Sequence, residues 1–281
     1  MNRRIVVAAT LAVLTILVGG RWLATRPDLP ALVPAAAPHA GLAAPAAGAA
    51  ALGPGNAAKE STPSPAVVSR NTTAVPRPPV SRANTGPFGS RRLTGKRAVA
   101  LTFDDGPNPQ WTPLVLDLLR RTGVKATFCV IGMQVQKYPA LLARIVDEGH
   151  TLCNHTWNHE MDLGTKSKAT IRANLRLTND AIRAAAPGAK VPFFRHPGGN
   201  FTTAAVEVAR TMGMASLDWD VDPRDWEQQD AVLIRSRVLD AVRPGSIVLM
   251  HDGGADRHAT YAALPVIIST LKQRYGITQL R

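Results

Sequence analysis

Residues 97–123, RAVALTFDDGPNPQWTPLVLDLLRRTG, set the interpretation of the folded part of this chain. The stretch begins with an apolar strand that ends at Phe103 and finishes with an amphipathic helix that Gly123 closes. Two carboxylates lie between them in the turn DDGP. The unit is therefore a strand and a helix, joined by a loop whose side chains can bind or react.

The same alternation of strand and helix continues to the C-terminus. Further strands are predicted within residues 124–132, 150–155, 192–196, 215–222, 246–252 and 277–280. Further helices are predicted within residues 139–149, 167–186, 202–212, 229–242 and 260–274. Seven strands that alternate with six helices indicate parallel strands joined by right-handed crossovers.

A doubly wound open sheet and a (β/α) barrel both fit this order, but they place ligands differently. An open sheet binds at one switch point, mainly through two loops. A barrel gathers side chains from the ends of many strands at its C-terminal face. Here polar motifs follow strand after strand, namely DDGP, NHTWNH, RHPGGN, DVDPRDW and HDGG. We therefore predict an α/β fold, a distorted (β/α) barrel of about seven parallel strands.

The composition divides the chain into three regions. Residues 1–26 combine the basic start MNRR with the apolar run IVVAATLAVLTILVGG, which is typical of a signal peptide or a short membrane anchor. Residues 27–95 are rich in Ala and Pro and show no apolar period, so we predict a disordered linker. Residues 96–281 remain for one well-packed domain.

The first region predicts export from a bacterial cell. The apolar run is short for a spanning helix, and no clean cleavage site follows it. A secreted protein and one anchored to the outer face of the cytoplasmic membrane therefore both remain open. We expect membrane contact through this segment only, and a monomer.

The charge and the cysteines limit the possible partners. The formal net charge is +13, and most of the excess lies before residue 96, which suits anionic lipid or wall polymer. Arg-rich, high-GC codon usage would give the same bias. The folded part shows no basic stripe interleaved with aromatic residues, which argues against nucleic acid. Cys129 and Cys153 fall on neighbouring predicted strands, where a disulfide and two buried free thiols both remain open.

The stretch LCNHTWNHE, residues 152–160, places His155 and His159 four positions apart. Four residues make about one helical turn, so both imidazoles would face one ion. Alone this pair is weak evidence. At one barrel mouth, however, two imidazoles and one carboxylate make three protein ligands and leave an open position. A second carboxylate can serve as base, an arginine can orient it, and a distant histidine can serve as acid.

Five motifs, LTFDDGP, HTWNH, RHPGG, DPRDW and LMH, resemble in order and spacing those of the polysaccharide deacetylases, the NodB-like carbohydrate esterase family 4. The resemblance covers roughly residues 97–281. It implies a distorted (β/α) barrel and metal-dependent hydrolysis of N-acetyl groups on amino-sugar polymers, or in some members of O-acetyl groups on xylan.

The resemblance assigns roles to five residues around a metal. Asp105, His155 and His159 resemble the ligands of one divalent ion, which we expect to be zinc, with cobalt possible. Asp104 resembles the catalytic base, and Arg195 resembles the residue that holds it. A carboxylate close to a cation and to a guanidinium stays ionised and can accept a proton from water.

A second set of residues is implied on the leaving-group side. His251 resembles the acid that protonates the departing amide nitrogen. Asp222 and Asp225 are both placed to raise its pKa; the family pattern favours Asp225, while the residues alone leave both open. Trp226 and Leu249 resemble the apolar walls that seat the acetyl methyl group and the sugar.

The chain departs from the family at RHPGG, where many members read Arg-Pro-Pro-Tyr-Gly. Gly198 takes the place of the tyrosine beside Pro197, and we expect both residues to border the substrate. A backbone N–H survives this change, so the oxyanion contact can remain. The loss of the aromatic side chain bears on substrate preference instead.

The expected partner is an acetylated amino-sugar polysaccharide. Export, the long linker and the basic N-terminal region favour cell-wall peptidoglycan, with chitin oligosaccharides second. An acetylxylan esterase is the alternative among enzymes. A non-hydrolytic glycan-binding module is the alternative outside them, and the intact base and acid, Asp104 and His251, argue against it.

Overall fold

A computed structural model of the protein describes residues 84–281. The predicted anchor at residues 1–26 and the linker up to residue 83 lie outside the described residues. The regular elements, in chain order, are β1 (Ala100–Asp104), α1 (Thr112–Thr122), β2 (Thr127–Val130), α2 (Gly132–Lys137), α3 (Pro139–Asp147), β3 (Thr151–Asn154), α4 (Lys168–Ala185), β4 (Phe193–Phe194), α5 (Thr203–Thr211), β5 (Ala215–Ser216), α6 (Ala231–Ala241), β6 (Ile247–His251) and α7 (His258–Arg274).

The strands form one parallel six-stranded sheet in the order β5-β4-β3-β2-β1-β6. Beyond β5, Val221 forms a parallel bridge with Val248 of β6, so the chain links the two edges of the curled sheet. The predicted distorted (β/α) barrel is confirmed. The predicted strand at 277–280 is reduced to a single bridge between Val99 and Ile277, so the described sheet has six strands rather than seven.

The alternation of side chains along β1 explains where the catalytic groups lie. Leu101 and Phe103 belong to the large outer core, which they share with residues of the helices. Ala100 belongs to a separate inner cluster with Cys129 and Cys153. Because successive residues of a strand point to opposite faces, Asp104 shares the inner side of the sheet with Ala100. The inner face of β1 therefore ends in the Asp104 carboxylate, at the carboxyl end of the strand.

One short helix was not predicted from the sequence. Helix α2 follows β2 directly, and Tyr138 separates it from α3 with a non-helical ψ of 57°. Pro139 accounts for this break, because a proline disfavours helical backbone at the residue before it. The apolar residues of α2 continue the pattern of the preceding strand, which hides the helix in the sequence.

The sequence suggests that the packed domain starts at residue 96, but in the structure it begins earlier. Arg91 pairs with Leu217 beside β5, and Leu93 pairs with Ser246 beside β6. Ser90 and Leu93 are buried, and the Arg91 guanidinium donates to the carbonyl oxygens of Leu93 and Thr94. The segment from residue 84 to 95 is therefore part of the domain. Among residues 84–281, no helix is both long and apolar enough to cross a membrane.

Two truncations are expected to behave differently. Removal of residues 1–83 should leave the catalytic rate on a soluble substrate unchanged, because the candidate site residues lie between positions 104 and 251. Removal of residues 1–95 also deletes the buried Leu93 and should lower the melting temperature by about 4–10 °C. Thermal denaturation and steady-state rates of both truncated proteins check this. Equal melting temperatures would show that residues 84–95 do not stabilise the domain.

Candidate active site

The carboxyl ends of the strands border one cleft of about 510 Å³. Motifs that are far apart in the sequence meet there, because parallel strands bring their carboxyl ends to the same face of a barrel. The cleft is lined by acidic, imidazole and apolar side chains, among them Asp104, Asp105, His155, His159, Leu249 and His251. Every sequence-predicted site residue lies at this face, either lining the cleft or bonded to a residue that does, except Pro197, which is buried next to Gly198.

Asp105, His155 and His159 form a compact cluster of possible metal ligands. The Asp105 Oδ1 atom lies 3.5 Å from His155 Nε2 and 3.4 Å from His159 Nε2. Three ligand atoms bound tetrahedrally to one zinc ion at about 2.0–2.1 Å would be separated by roughly 3.3 Å. The spacing therefore fits one small divalent ion.

Two further observations support the fit of these residues to a metal. Asp105 Oδ1 is buried and has no hydrogen-bond partner among the described residues. His155 Nδ1 lies 2.8 Å from the carbonyl oxygen of Arg195, which accepts its proton and leaves Nε2 as the ligand atom. Burial lowers the pKa of His155 below its usual value, although Asp104 and Asp105 oppose this. A neutral imidazole is the form that a metal needs.

The backbone brings the two histidines together without a helix. The sequence suggested one helical turn, but residues 155–159 form a loop in which Thr156 and His159 have φ values of 67° and 62°. Asp105 also lies in the left-handed region, with φ 74°. Such conformations are uncommon outside glycine and concentrate at functional sites. The helical explanation is wrong, while the expected proximity of the imidazoles is observed.

Close packing around Asp105 requires the glycines of the HDGG motif. A Cβ atom at Gly253 would lie 2.2 Å from the Asp105 carbonyl oxygen. A Cβ at Gly254, where φ is +80°, would lie 2.5 Å from Asp105 Oδ2. The loop after β6 can therefore cover the carboxylate only because both positions lack side chains.

Asp104 is held by the fully buried Arg195. The Arg195 Nη1 atom donates to Asp104 Oδ1 at 2.7 Å and to Thr102 Oγ1 at 2.9 Å. Burial raises the pKa of Asp104, but the charge of Arg195, with its hydrogen bond and the charge of His251, outweighs this effect and holds the pKa below the usual range. Asp104 is therefore an ionised carboxylate at neutral pH. Trp219 covers the guanidinium, with its ring centre 5.5 Å from the Arg195 Cζ atom.

His251 is paired with Asp225. The His251 Nδ1 atom lies 2.7 Å from Asp225 Oδ1, and the His251 backbone N–H donates to Asp225 Oδ2 at 3.0 Å. Asp222 lines the cleft, but its Oδ1 accepts the backbone N–H of Arg224. Burial lowers the pKa of His251, yet Asp225, together with Asp105 and Asp104, raises it to about 9. Between the two acidic candidates, Asp225 is the one in contact with the imidazole.

The apolar side of the cleft contains a third side chain besides the two predicted walls, Leu249 and Trp226. Leu249 is buried in β6, and Trp226 is exposed at the rim. Gly198 faces Met161, since a Cβ at this glycine would lie 2.5 Å from Met161 Cε. Met161, half-exposed, also lines the cleft. A methionine from the loop of His159 therefore stands next to the position where many family members carry tyrosine.

Sequence reasoning also missed Asp252, Arg257 and Thr260. Asp252 is buried beneath Asp104, whose carbonyl oxygen accepts the Asp252 backbone N–H at 3.1 Å. Burial raises the pKa of Asp252 to about 7, with a smaller effect from the charges of Asp105 and Asp104. These residues follow the LMH motif, so their position after the last strand of the barrel was an available signal.

Cys129 and Cys153 are register partners on β2 and β3, and both are buried free thiols. They lie in the inner cluster of the barrel, on the same side as Asp104. No metal-ligand group among residues 84–281 includes either of them. The two thiols thus serve as small apolar side chains here.

One cleft of the barrel thus holds a cluster of possible metal ligands, a carboxylate held by an arginine and a histidine paired with a carboxylate. This combination is the one expected of a metal-dependent hydrolase. A family model described as polysaccharide deacetylase matches residues 91–217. A chitooligosaccharide deacetylase from Bradyrhizobium sp. (strain ANU 289) is 42% identical over 193 residues, which cover 65% of this chain and 88% of the relative. The chain belongs to the polysaccharide deacetylase family, whose members are metal-dependent hydrolases of non-peptide carbon–nitrogen bonds.

Two solved structures extend this comparison. A peptidoglycan N-acetylglucosamine deacetylase, in complex with 4-naphthalen-1-yl-N-oxidanyl-benzamide, is similar with a TM-score of 0.61 and 32% identity, over 67% of this chain and 92% of that one. A CE4 family pseudoenzyme from Bacillus anthracis is similar with a TM-score of 0.62 and 32% identity, over 66% of this chain and 66% of that one. The resemblance that the sequence motifs indicated is confirmed.

One divalent ion is expected to bind per chain. Loss of a residue that only hydrogen-bonds to a metal ligand already costs ~10–100-fold in metal affinity, so His159→Ala, which removes a candidate ligand itself, should weaken zinc binding by more than this. Calorimetric titration of the metal-free protein with zinc measures both the number of ions bound per chain and their affinity. The matched control is His258→Ala, an exposed histidine of α7, which should bind as the unmodified protein does. Unchanged affinity in His159→Ala would show that the ion is held elsewhere.

Proposed function

We propose that this protein hydrolyses N-acetyl groups on the amino sugars of bacterial cell-wall peptidoglycan, with chitin oligosaccharides as second substrates. The observation that carries the deacetylase chemistry is the presence, in one cleft, of the Asp105 cluster, the Asp104–Arg195 pair and the His251–Asp225 pair. Relatives named for chitooligosaccharides and for peptidoglycan support the two substrate classes.

Asp105, His155 and His159 would hold the ion, for which we propose zinc. Two imidazoles and one carboxylate form a donor set that is typical of catalytic zinc, and cobalt accepts similar sites. When bound, the ion lowers the pKa of a water molecule and polarises the acetyl carbonyl group. The chain supplies the positioning and the proton transfers around it.

Asp104 is the proposed general base. Its carboxylate is ionised, because the paired guanidinium of Arg195 opposes the effect of burial on its pKa, by its charge and by its hydrogen bond. Oδ1 accepts from Arg195, which leaves Oδ2, 3.6 Å from His155 Nε2, to accept a proton from water in the cleft. Gly198 lines the cleft, and its backbone N–H is the proposed donor to the developing oxyanion.

His251 is the proposed acid. Asp104 and His251 are register partners on adjacent strands, so their side chains point to the same side of the sheet. The Nδ1 atom is committed to Asp225, which leaves Nε2 to deliver a proton to the departing amide nitrogen. The base and the acid can thus act on the same bond from neighbouring strands.

Substrate seating is proposed to use the apolar side of the cleft. Leu249 provides a buried contact for the acetyl methyl group, and the exposed ring of Trp226 can stack on a sugar face. Pro197 shapes the backbone at Gly198, while Met161 occupies the space beside that glycine. We infer that the sugar meets a flexible thioether here instead of a tyrosine ring.

Release of acetate from a panel of polymers tests this function. We expect the protein, loaded with zinc, to release acetate from peptidoglycan and chitooligosaccharides, and more slowly or not at all from acetylxylan. Asp104→Asn is the negative control. Preference for acetylxylan would favour the esterase alternative. Glycan binding without acetate release would favour a non-hydrolytic binding module.

We also propose that the protein works outside the cytoplasm as a monomer, delivered by residues 1–26. The basic start and the apolar run support export, and the basic region that follows suits an anionic wall. Fractionation of cells that express the full chain tests this, with cleavage read from the mass of the exported product. Recovery of the full chain from the cytoplasm alone would contradict it.

A further inference from the structure

The proton donor His251 depends on a carboxylate that is itself held by another element. Asp225 is 1% exposed and its two oxygen atoms have three partners. Oδ1 faces His251 Nδ1 at 2.7 Å, while Oδ2 accepts the His251 backbone N–H at 3.0 Å and the Thr260 hydroxyl at 2.9 Å. Only the last of these contacts comes from outside the His251–Asp225 pair.

Asp225 needs such a support because its own segment is irregular. It lies between the short strand β5 and helix α6, directly after Arg224, which has a left-handed φ of 56°. Strand β6, in contrast, pairs with β1 along its whole length. The imidazole therefore stands on a rigid strand, and its carboxylate partner stands on a loop.

The first turn of helix α7 and the residue directly before the helix each contact this loop. Thr260 is 2% exposed and donates to the side chain of Asp225. Arg257, also buried, donates from Nη1 to the Asp225 carbonyl oxygen at 3.4 Å and from Nε to the Gly253 carbonyl oxygen at 2.6 Å. The rest of the helix is fixed by the core through Leu264, Ile267 and Leu271.

We propose that Thr260 is a positioning residue for the proton donor: its hydroxyl orients the Asp225 carboxylate so that Oδ1 faces His251 Nδ1. The inference rests on the proposed function, since it assigns His251 to protonation of the leaving group. Without the hydroxyl, Oδ2 keeps only the backbone N–H of His251, and the carboxylate can rotate away from the imidazole. Thr260 does not line the cleft, so it can act on the substrate only through Asp225 and His251. Its effect should therefore appear in the step in which the amide nitrogen leaves.

The test compares two substitutions at the same position. Thr260→Val keeps the shape of the side chain and removes the hydroxyl, whereas Thr260→Ser keeps the hydroxyl. We expect Thr260→Val to lower kcat on a chitooligosaccharide by about 10-fold, the size expected for a lost hydrogen bond to a charged group. Its kcat on an aryl acetate should change much less, because a phenolate leaves without a proton. Thr260→Ser should retain most of the amide activity.

Thr178→Val serves as the matched control. Thr178 is a fully buried threonine of α4 whose hydroxyl donates to the Asn174 carbonyl oxygen at 3.3 Å, and it contacts neither Asp225 nor His251. Its substitution should leave the ratio of amide to aryl-ester rates unchanged. Equal losses on both substrates in Thr260→Val, or no loss on either, would overturn the positioning role.

A measurement without turnover separates this inference from the proposed function. The proton between His251 Nδ1 and Asp225 is expected to give a downfield NMR signal in the unmodified protein, which Asp225→Asn identifies by its loss. The signal should persist in Thr260→Ser and shift or broaden in Thr260→Val. If it is the same in all but Asp225→Asn, the inference fails even when the protein is an active deacetylase. If no acetate is released while the signal responds as expected, the proposed function fails alone.

Discussion

Asp104→Asn is expected to lower kcat on an acetylated amino sugar by ~10²–10⁴-fold, the usual contribution of a general base. Asparagine has the same shape as aspartate and can still accept the hydrogen bond of Arg195 through its amide oxygen, but it cannot take a proton from water. Metal affinity should be retained, because Asp105 and the two histidines remain. Acetate release and zinc titration on the same preparation measure both quantities.

The control for this substitution is Asp180→Asn. Asp180 is an exposed carboxylate of α4 that pairs with Arg183, and it should be replaced without an effect on rate. A loss of zinc from Asp104→Asn would mean that Asp104 binds the ion as well. A rate close to that of the unmodified protein would remove Asp104 from the role of base.

The acidic side of the pH profile follows from the environment of Asp104. Burial would raise its pKa, but Arg195 and His251 lower it overall, so the carboxylate stays ionised at pH values below the usual range for aspartate. A base is active when deprotonated. The rate should therefore fall only as the pH decreases through this lowered pKa, provided that the ion remains bound. Protonation of the ligand histidines at low pH releases metal, so the profile needs saturating zinc.

Local patterns in the sequence were sufficient for the architecture. Each predicted strand up to residue 252 overlaps an observed one, and α1 ends at Thr122, directly before the predicted Gly123. The location of the site followed from a topological rule, since polar residues at the ends of parallel strands must converge. The choice of Asp225 over Asp222 did not follow, because both lie within one loop and only its path brings one carboxylate to His251.

The features that the sequence could not predict depend on backbone conformations that leave no periodic pattern of apolar residues. Asp105 and His159 adopt left-handed φ values, which no hydrophobic pattern signals. The contact between Met161 and Gly198 joins two loops, and no local sequence pattern predicts that these two residues meet. Helix α2 was hidden because an apolar strand runs directly into it. These features come from tertiary packing, which overrides local preference.

His251→Ala is expected to reduce deacetylation of an amide by ~10²–10⁴-fold, while hydrolysis of an activated aryl acetate should fall far less. The physical reason lies in the leaving group. An amine departs only after its nitrogen gains a proton, whereas a phenolate departs as an anion. Metal binding should be unaffected, because His251 is not part of the Asp105 cluster. Steady-state rates on both substrates, with zinc saturating, measure the difference.

The pH dependence of the amide rate is a second, independent test of His251 as the acid. An acid is active when protonated, and Asp225, with Asp105 and Asp104, raises the pKa of His251 to about 9 although burial acts in the opposite direction. The amide rate should therefore be level at neutral pH and fall as the pH rises through that value. A bound ion offsets the charge of Asp105, so the limb should lie at about 9 or lower. Asp225→Asn should move it further down, since the raising carboxylate is lost. If His251→Ala lowers amide and aryl-ester rates equally and leaves the alkaline limb in place, another group protonates the leaving nitrogen.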